Sequence, residues 1–324
     1  MRCVLAIDSG GSKCAALLAR DDGTVLGYGH VDSSNPAGGR GIAGSGRTFQ
    51  SIAYAANMAI GKTACDELYL ACLSHILPPI NFEEIQVNCI HLQTLTEHDP
   101  AFALTGEANG VVLLAGTGAF VYGQTPDGRI QKIDGLGPLL GDHGGGYQIG
   151  LMAMRAVAQS SWHARHATAL TEAVQTTLNI KPGPGSLQAF IKFMLNNPDR
   201  SEIARLAKVV DSIASAGDPI AQNIMRQAAD DIVESTRDVV EHLGIAQANL
   251  PLIGTGSVIM YSSLYWARVC ERVREFAPNL RFMRLQDPPI LGMVLTVLQR
   301  LKCGDPATLR KQLQTSFQEK TRKE

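Results

Sequence analysis

The chain has 324 residues, of which 45% are hydrophobic and 18% charged, with a formal net charge of −1. This balance excludes a disordered polar chain and a coiled coil, and gives no sequence-wide attraction to nucleic acid or an anionic membrane. At about 150 residues per domain the length suggests two domains, and no apolar run approaches the ~20 residues needed to cross a bilayer.

The first 145 residues alternate short apolar runs with turns. Residues 3–7 form an apolar strand that ends in Asp8-Ser9-Gly10-Gly11, and Asp8 interrupts that stretch too early for a secretory signal peptide. Strands at 15–19 and 25–31 flank Asp21-Asp22-Gly23 and read as a hairpin. A helix is expected over 48–59, strands over 67–73 and 85–92, and a short helix over 100–104. Residues 111–115 then open a second set: Gly116-Thr117-Gly118, a strand at 119–123, the turn Pro126-Asp127-Gly128 and a strand at 129–133. The pattern of apolar strand, glycine turn, second strand, Asp-Gly turn and third strand therefore occurs twice, about 108 residues apart. From 147 to 243 the apolar spacing is helical, with Asp218 a predicted N-cap and Pro219 at the first helical position. Strands return at 250–253 and 280–285, followed by a helix at 289–301 and a polar tail read as a frayed helix. Strands mixed with helices in this order predict an α/β protein.

Seven cysteines form no Cys-x-x-Cys pair, which predicts reduced thiols and a cytoplasmic location. Glycine is uneven: 24 of the 32 fall within residues 1–150, and the window 135–146 is half glycine. Gly39 to Gly44 fits G-x-G-x-x-G, but no strand precedes it, so a dinucleotide fingerprint is rejected. Gly41 to Thr48 fails as a phosphate loop because Arg47 stands where lysine is required. Residues 32–47 read either as a slack surface loop or as a loop that orders on ligand.

Three turns differ from these. After Asp8, at Gly116-Thr117-Gly118 and at Gly254-Thr255-Gly256-Ser257, an apolar strand runs directly into glycine with a small hydroxyl residue beside it. Glycine lets backbone N–H groups approach phosphate oxygens, and Ser or Thr adds a neutral donor. Three such strand ends in one chain point to nucleotide. Asp8, at a strand end beside one of them, suits a Mg²⁺-bound water. Asp99, before Pro100, reads from its context as a helix N-cap. Asp142 reads either as a turn residue or as a hydrogen-bond acceptor for substrate.

Taken in order, Asp8-Ser9-Gly10-Gly11-Ser12-Lys13, Leu113-Leu114-Ala115-Gly116-Thr117-Gly118, Gly135-Leu136-Gly137-Pro138-Leu139-Leu140-Gly141-Asp142 and Ile253-Gly254-Thr255-Gly256-Ser257 resemble the N-acetylglucosamine kinase and BadF/BadG/BcrA/BcrD ATPase family. That family lies within the actin/hexokinase/Hsp70 superfamily. The resemblance implies a duplicated ribonuclease-H-like (actin-like ATPase) fold, with two domains and an interdomain ATP cleft. The expected division is 1–106, completed by a C-terminal helix at 289–302, and 107–288 with a helical insertion at 147–243, leaving 305–324 as a polar tail. It implies an ATP-dependent kinase of an amino sugar, N-acetylglucosamine or glucosamine, as a homodimer that binds neither nucleic acid nor membrane. Asp8 would hold Mg²⁺ through water, and Gly10, Gly11, Ser12 and Lys13 would contact the terminal phosphates. Gly116, Thr117 and Gly118 would form the second phosphate turn, and Gly254, Gly256 and Ser257 would border adenine and ribose. Asp99 would be the general base, which replaces the cap reading or coexists with it. Asn35, Ser74, Gly135, Asp142 and His143 would face the sugar.

Leu136 stands where the family's sugar kinases commonly have tryptophan, His143 where they have glutamate, and Ala119 where they have serine. His143 reads either as a loop residue satisfied by backbone or as a substrate contact that would make activity depend on pH. The family's other branch activates reductases or dehydratases and holds an iron–sulfur cluster between subunits through a cysteine pair, for which this chain offers no close pair in sequence. A sugar sensor that binds DNA is not expected, since Asp8 follows almost at once with no preceding helix-turn-helix.

Overall fold

The computed structural model describes residues 1–9, 13–32, 46–73, 87–183, 185–196 and 198–322. The chain forms two compact units, Met1–Ala108 with Gln286–Glu324, and Asn109–Leu285.

In the first unit, β1 (Arg2–Ser9), β2 (Lys13–Arg20) and β3 (Val25–Asp32) form an antiparallel meander. Helix α1 (Gly46–Ile60) leads to β4 (Cys65–Cys72), which lies parallel to β1, and β5 (Val87–Thr94) lies parallel to β4. The sheet order is β3-β2-β1-β4-β5. Strand β1 is buried from Cys3 to Ile7, as an apolar run in the middle of a covered sheet must be. Cys3, Leu5, Ile7, Ala16, Leu18, Leu68 and Leu70 pack against Ile52, Ala55, Ala56 and Ala59 of α1. Glycine fits this interface for a stated reason: a Cβ at Gly27 would lie 1.8 Å from the Ala59 carbonyl oxygen.

The second unit repeats the plan. Strands β6 (Gly110–Ala115), β7 (Ala119–Gln124) and β8 (Ile130–Asp134) form a meander, β9 (Pro251–Thr255) lies parallel to β6, and β10 (Arg281–Arg284) lies parallel to β9. The order β8-β7-β6-β9-β10 mirrors the first sheet strand for strand. Between β8 and β9 run α3 (Gly146–Ser160), α4 (Leu170–Thr177), α5 (Ser186–Leu195), α6 (Arg200–Ala204), α7 (Leu206–Ser215) and α8 (Pro219–Leu243). Helix α8 begins as its sequence predicts: the Asp218 carboxylate accepts from Ile220 N and Ala221 N, with Pro219 at the first position, and Gly244 at φ 65° ends it. The short α9 (Ser257–Tyr261) and α10 (Ser263–Arg274) separate β9 from β10.

Helices α2 (Asp99–Thr105) and α11 (Pro289–Arg300) cross in the first unit, where a Cβ at Gly292 would meet the Pro100 carbonyl at 2.4 Å. The polar tail is a docked helix, not a frayed one. In α12 (Pro306–Thr321), capped by Asp305 at Thr308 N, Leu309 and Leu313 are buried, Phe317 meets Tyr28 edge-on at 5.3 Å, and Ser316 Oγ accepts from Val25 N at 2.8 Å. Two leucines four residues apart carry that docking, too faint a stripe to stand out among the charges around it.

Candidate functional site

The strands β1, β4 and β5 run parallel, so their C-terminal ends, where ligands bind in open α/β sheets, share one edge. Asp8 is the penultimate residue of β1, opposite Ala15. Burial, and then the charge of Asp8, push the neighbouring Cys14 thiol up to about 12. Gly10, Gly11, Ser12, Asn35 and Ser74 lie outside the described residues, and of Lys13 the backbone alone is described, opening β2 opposite Asp32.

Asp99 follows β5 on the same sheet edge. The N-cap of α2 is His98, and Asp99 is the first helical residue, so the simple cap reading is displaced. Its carboxylate instead turns back on the preceding segment: Oδ2 accepts from Thr96 N at 2.7 Å and from Arg300 Nη2 at 3.2 Å. Arg300 also donates through Nη1 to the Thr94 carbonyl at 2.9 Å, tying the end of α11 to the end of β5. Among the described residues both donors to Asp99 fall on Oδ2, and the side chain remains 23% exposed.

In the second unit, Gly116-Thr117-Gly118 joins β6 to β7, closed by Gly116 N donating to the Gly118 carbonyl at 2.9 Å. The start of α3 backs this turn: Gly146 N donates to the Gly116 carbonyl at 2.7 Å and Tyr147 N to the Thr117 carbonyl at 2.9 Å. A Cβ at Gly145 would lie 2.7 Å from the Gly118 carbonyl carbon, so two glycine backbones pack face to face. Tyr265 of α10 supports the strap, its buried hydroxyl donating to the Gly144 carbonyl at 2.9 Å. Burial, then the charge of Asp231, hold that phenol well above its ordinary pKa, so it stays a neutral donor.

The loop from β8 to α3 is bracketed by two aspartates in left-handed conformation, Asp134 at φ 70° and Asp142 at φ 59°. Asp134 gathers the loop. Its Oδ1 accepts from Gly135 N at 2.7 Å and Asp142 N at 2.6 Å, and its Oδ2 from His143 N at 2.8 Å and His143 Nδ1 at 2.9 Å. Burial raises the Asp134 pKa, but these hydrogen bonds outweigh it and hold the carboxyl below the ordinary value. The His143 ring and its backbone N–H are therefore both held by the Asp134 carboxylate, not by backbone, while the ring stays 57% exposed. Leu136, Leu139 and Leu140 between the two aspartates are exposed.

Asp142 sits against the phosphate-type turn. A Cβ at Gly118 would lie 2.6 Å from Asp142 Oδ1, and that oxygen accepts from Ala119 N at 3.4 Å. Its Oδ2 pairs with Arg200 Nη2 at 2.5 Å, the side chains being 7% and 28% exposed. Arg200 opens α6, whose capping box has Asp199 accepting from Ser201 N while Glu202 accepts from Asp199 N.

The third glycine motif begins in the last two residues of β9 and runs on through Gly256; β9 is parallel to β6, so the motif shares a sheet edge with Gly116-Thr117-Gly118. Its glycines carry packing as well: a Cβ at Gly254 would strike Trp266 at 2.4 Å, and one at Gly256, at φ 91°, would strike the Ala115 carbonyl at 2.4 Å. Ser257 is the first residue of α9. Sequence reasoning missed Asp134, Arg200 and Tyr265. An aspartate before a glycine-rich window was a weak signal for the first, whereas nothing local marks the other two, which reach the loop from helices far along the chain.

Residues 5–277 match the BadF/BadG/BcrA/BcrD ATPase family, and the chain belongs to it. It is 24% identical over 319 residues to the N-acetylmuramic acid/N-acetylglucosamine kinase of Clostridium acetobutylicum, covering 94% of this chain and all of that protein. It is 28% identical over 200 residues to the N-acetyl-D-glucosamine kinase of Dictyostelium discoideum, covering 61% of each. Among solved structures it resembles a candidate N-acetylglucosamine kinase from Chromobacterium violaceum, at 23% identity and a TM-score of 0.61, over 92% of this chain and 99% of that one. The fold is thus the duplicated actin-like ATPase fold, in keeping with two sheets of one topology. Among the described residues no helix is long and apolar enough to cross a membrane.

Proposed function

We propose that this protein phosphorylates a hydroxyl of an amino sugar, N-acetylglucosamine or glucosamine, with Asp99 as general base. The chain is an ATP-dependent phosphotransferase of its family, and the proposal concerns its acceptor and the residues that serve it. The observation that carries it is the posture of Asp99, at the C-terminal edge of the first sheet with its two described donors on Oδ2. Oδ1 is then the oxygen that takes the proton of an attacking hydroxyl, and Arg300 keeps the carboxylate oriented.

The rest of the machinery is electrostatic. Gly10, Gly11, Ser12 and Lys13 with the turn Gly116-Thr117-Gly118 face the phosphates, Gly116 shaping the turn because its N–H is held by the Gly118 carbonyl, and Gly254, Gly256 and Ser257 border adenine and ribose. Asp8 suits Mg²⁺ held through water, since that ion takes one or two carboxylates and otherwise phosphate and water. Mg²⁺ bound with ATP would neutralise phosphate charge. Asn35, Ser74, Gly135, Asp142 and His143 are the proposed sugar contacts; each oxygen of Asp142 keeps a lone pair beyond its bond to Ala119 or Arg200. A homodimer, checked by light scattering, completes the proposal.

Cysteine placement argues against the activator branch: the two thiols that meet, Cys3 and Cys65, are both buried in the first sheet and not presented to a second subunit. Cys65 and Cys72 lie at opposite ends of β4 and are buried. Cys89 is exposed, and its described polar neighbour is His91 Nε2 at 3.4 Å, not a second thiol. The test is ADP release with N-acetylglucosamine, glucosamine, N-acetylmannosamine, muramic-acid derivatives and glucose, with the product identified by mass spectrometry. Turnover stimulated by an amino sugar and lost in Asp99→Asn supports the proposal; absence of sugar stimulation, or full activity in that variant, refutes it.

A further inference from the structure

The second unit contains an electrostatic conflict. The turn read as a phosphate site has a carboxylate packed on it, with Asp142 Oδ1 2.6 Å from where a Cβ of Gly118 would stand and bonded to the next amide, Ala119 N. A side chain only 7% exposed is poorly screened by water, so its negative charge is felt by any anion approaching the turn. Left alone, Asp142 would oppose the ligand its neighbours are built to hold.

We infer that Arg200 is the positioning counter-ion of this turn: by neutralising Asp142 it lets a polyphosphate approach Gly116-Thr117-Gly118 while Asp142 keeps its place in the loop. Three observations support this. Arg200 Nη2 meets Asp142 Oδ2 at 2.5 Å, on the oxygen that Ala119 does not use. The arginine is fixed from behind, at the first position of a helix with a full capping box and with its guanidinium over the Tyr147 ring at 6.0 Å. Its Nε is buried without a hydrogen-bond partner among the described residues. A side chain that leaves one buried donor unsatisfied is held by its remaining contacts, and the charge-assisted bond from Nη2 to Asp142 is the strongest of them. Asp134 completes the arrangement by fixing the Asp142 amide at 2.6 Å, so the carboxylate cannot swing away from the turn.

This inference rests on the nucleotide reading of the turn, and its test separates the two. Binding of Mg-ATP and of adenosine is measured by calorimetry, without sugar, for the unaltered protein, Arg200→Met, Arg200→Lys, Asp142→Asn and the double variant Arg200→Met/Asp142→Asn. One uncompensated charge at close range corresponds to about tenfold or more in affinity. Arg200→Met should weaken Mg-ATP by about that factor and leave adenosine unchanged, because the repulsion acts on phosphate alone. The double variant should recover to within about threefold of the unaltered protein, Arg200→Lys should retain most of the affinity, and Asp142→Asn alone should tighten Mg-ATP. Equal weakening of both ligands, an unaffected Arg200→Met, or a double variant that stays weak would overturn the inference while the nucleotide reading stands. If Arg200→Met does not fold, Asp142→Asn decides: unchanged or weaker Mg-ATP binding counts against Arg200. An unaltered protein that binds no Mg-ATP refutes the nucleotide reading as well.

Discussion

The two sheets share one order and one set of strand directions, yet they equip the same edge differently. In the first, β1 carries an acid to its end, with Asp8 still paired to Ala15, and β5 runs on to a second acid, Asp99. In the second, pairing stops at Ala115 opposite Ala119 and the chain closes at once through Gly-Thr-Gly, while β9 ends in another glycine turn. Among the described residues the first unit connects β3 to β4 through α1, where the second inserts α3 to α8 between β8 and β9. Among the described residues the duplicated scaffold thus differs at matching strand ends: β1 and β5 lead to carboxylates, β6 and β9 to glycine backbone. The inserted helices matter because they deliver Arg200 and the start of α3 to the β6 turn and the Asp142 carboxylate packed on it.

The hardest way to break this contrast is to remove an acid from the first sheet. Asp99→Asn keeps an acceptor for Thr96 N but loses the proton-accepting charge, and kcat should fall by about 10²–10⁴-fold in a coupled ADP-release assay. KM for ATP should change little. A rate within threefold of the unaltered protein would return Asp99 to a purely structural role.

The next largest effect tests how the corresponding outer strands are covered. In the second unit β8 packs on α8, from its own insertion; in the first unit β3 packs on α1, from its own connection, and also on α12, from the far end of the chain. Leu313 of α12 is buried. Leu313→Ala should therefore cost about 2–5 kcal/mol in urea denaturation. A loss under about 0.5 kcal/mol would mean that α12 is not part of the first unit's core.

Much of this was legible in the sequence, and for a common reason. Apolar runs such as Val111 to Ala115 can only be buried strands, and Asp218-Pro219 can hardly be anything but a helix start. The repeat of strand, glycine turn and strand announced the duplication because both features are local. The division of labour within the loop was not legible. His143 looked like a substrate contact or a loop residue satisfied by backbone, and what holds its ring is Asp134, nine residues earlier. Asp142 was read as a turn residue or a substrate acceptor, while its ion-pair partner lies 58 residues away in a helical insertion. Glycines at 254 and 256 were attributed to the nucleotide alone, although Trp266 and the Ala115 carbonyl each exclude a Cβ there. Pairings of high sequence separation leave no local pattern, and a glycine demanded twice looks the same as one demanded once.

That double demand gives a third prediction, on the second copy. Gly256→Ala places a Cβ at 2.4 Å from the Ala115 carbonyl on a backbone at φ 91°, and should cost about 1–3 kcal/mol in thermal unfolding. Gly128→Ala, also at positive φ but with nothing within 4 Å, isolates the cost of conformation alone. If the two variants unfold alike, the close approach of the third turn to β6 contributes nothing.

The smallest effect concerns Asp134, an acid on the second copy. Its carboxylate is 4% exposed and receives four N–H bonds, which outweigh burial and set its folded pKa below the ordinary value of about 3.9. A depressed carboxylate stabilises the fold fully above the unfolded pKa and loses that contribution as pH falls through the folded one. Asp134→Asn removes the contribution altogether, so the unaltered protein should exceed it in stability by a constant margin between about pH 5 and 7, on the order of 1 kcal/mol. Below about pH 4 the margin should shrink as Asp134 takes up a proton. Urea denaturation of both proteins across this range measures it directly. A margin that widens toward acid would mean that burial, and not the four donors, governs this carboxylate, and the loop that presents Asp142 would then need another clasp.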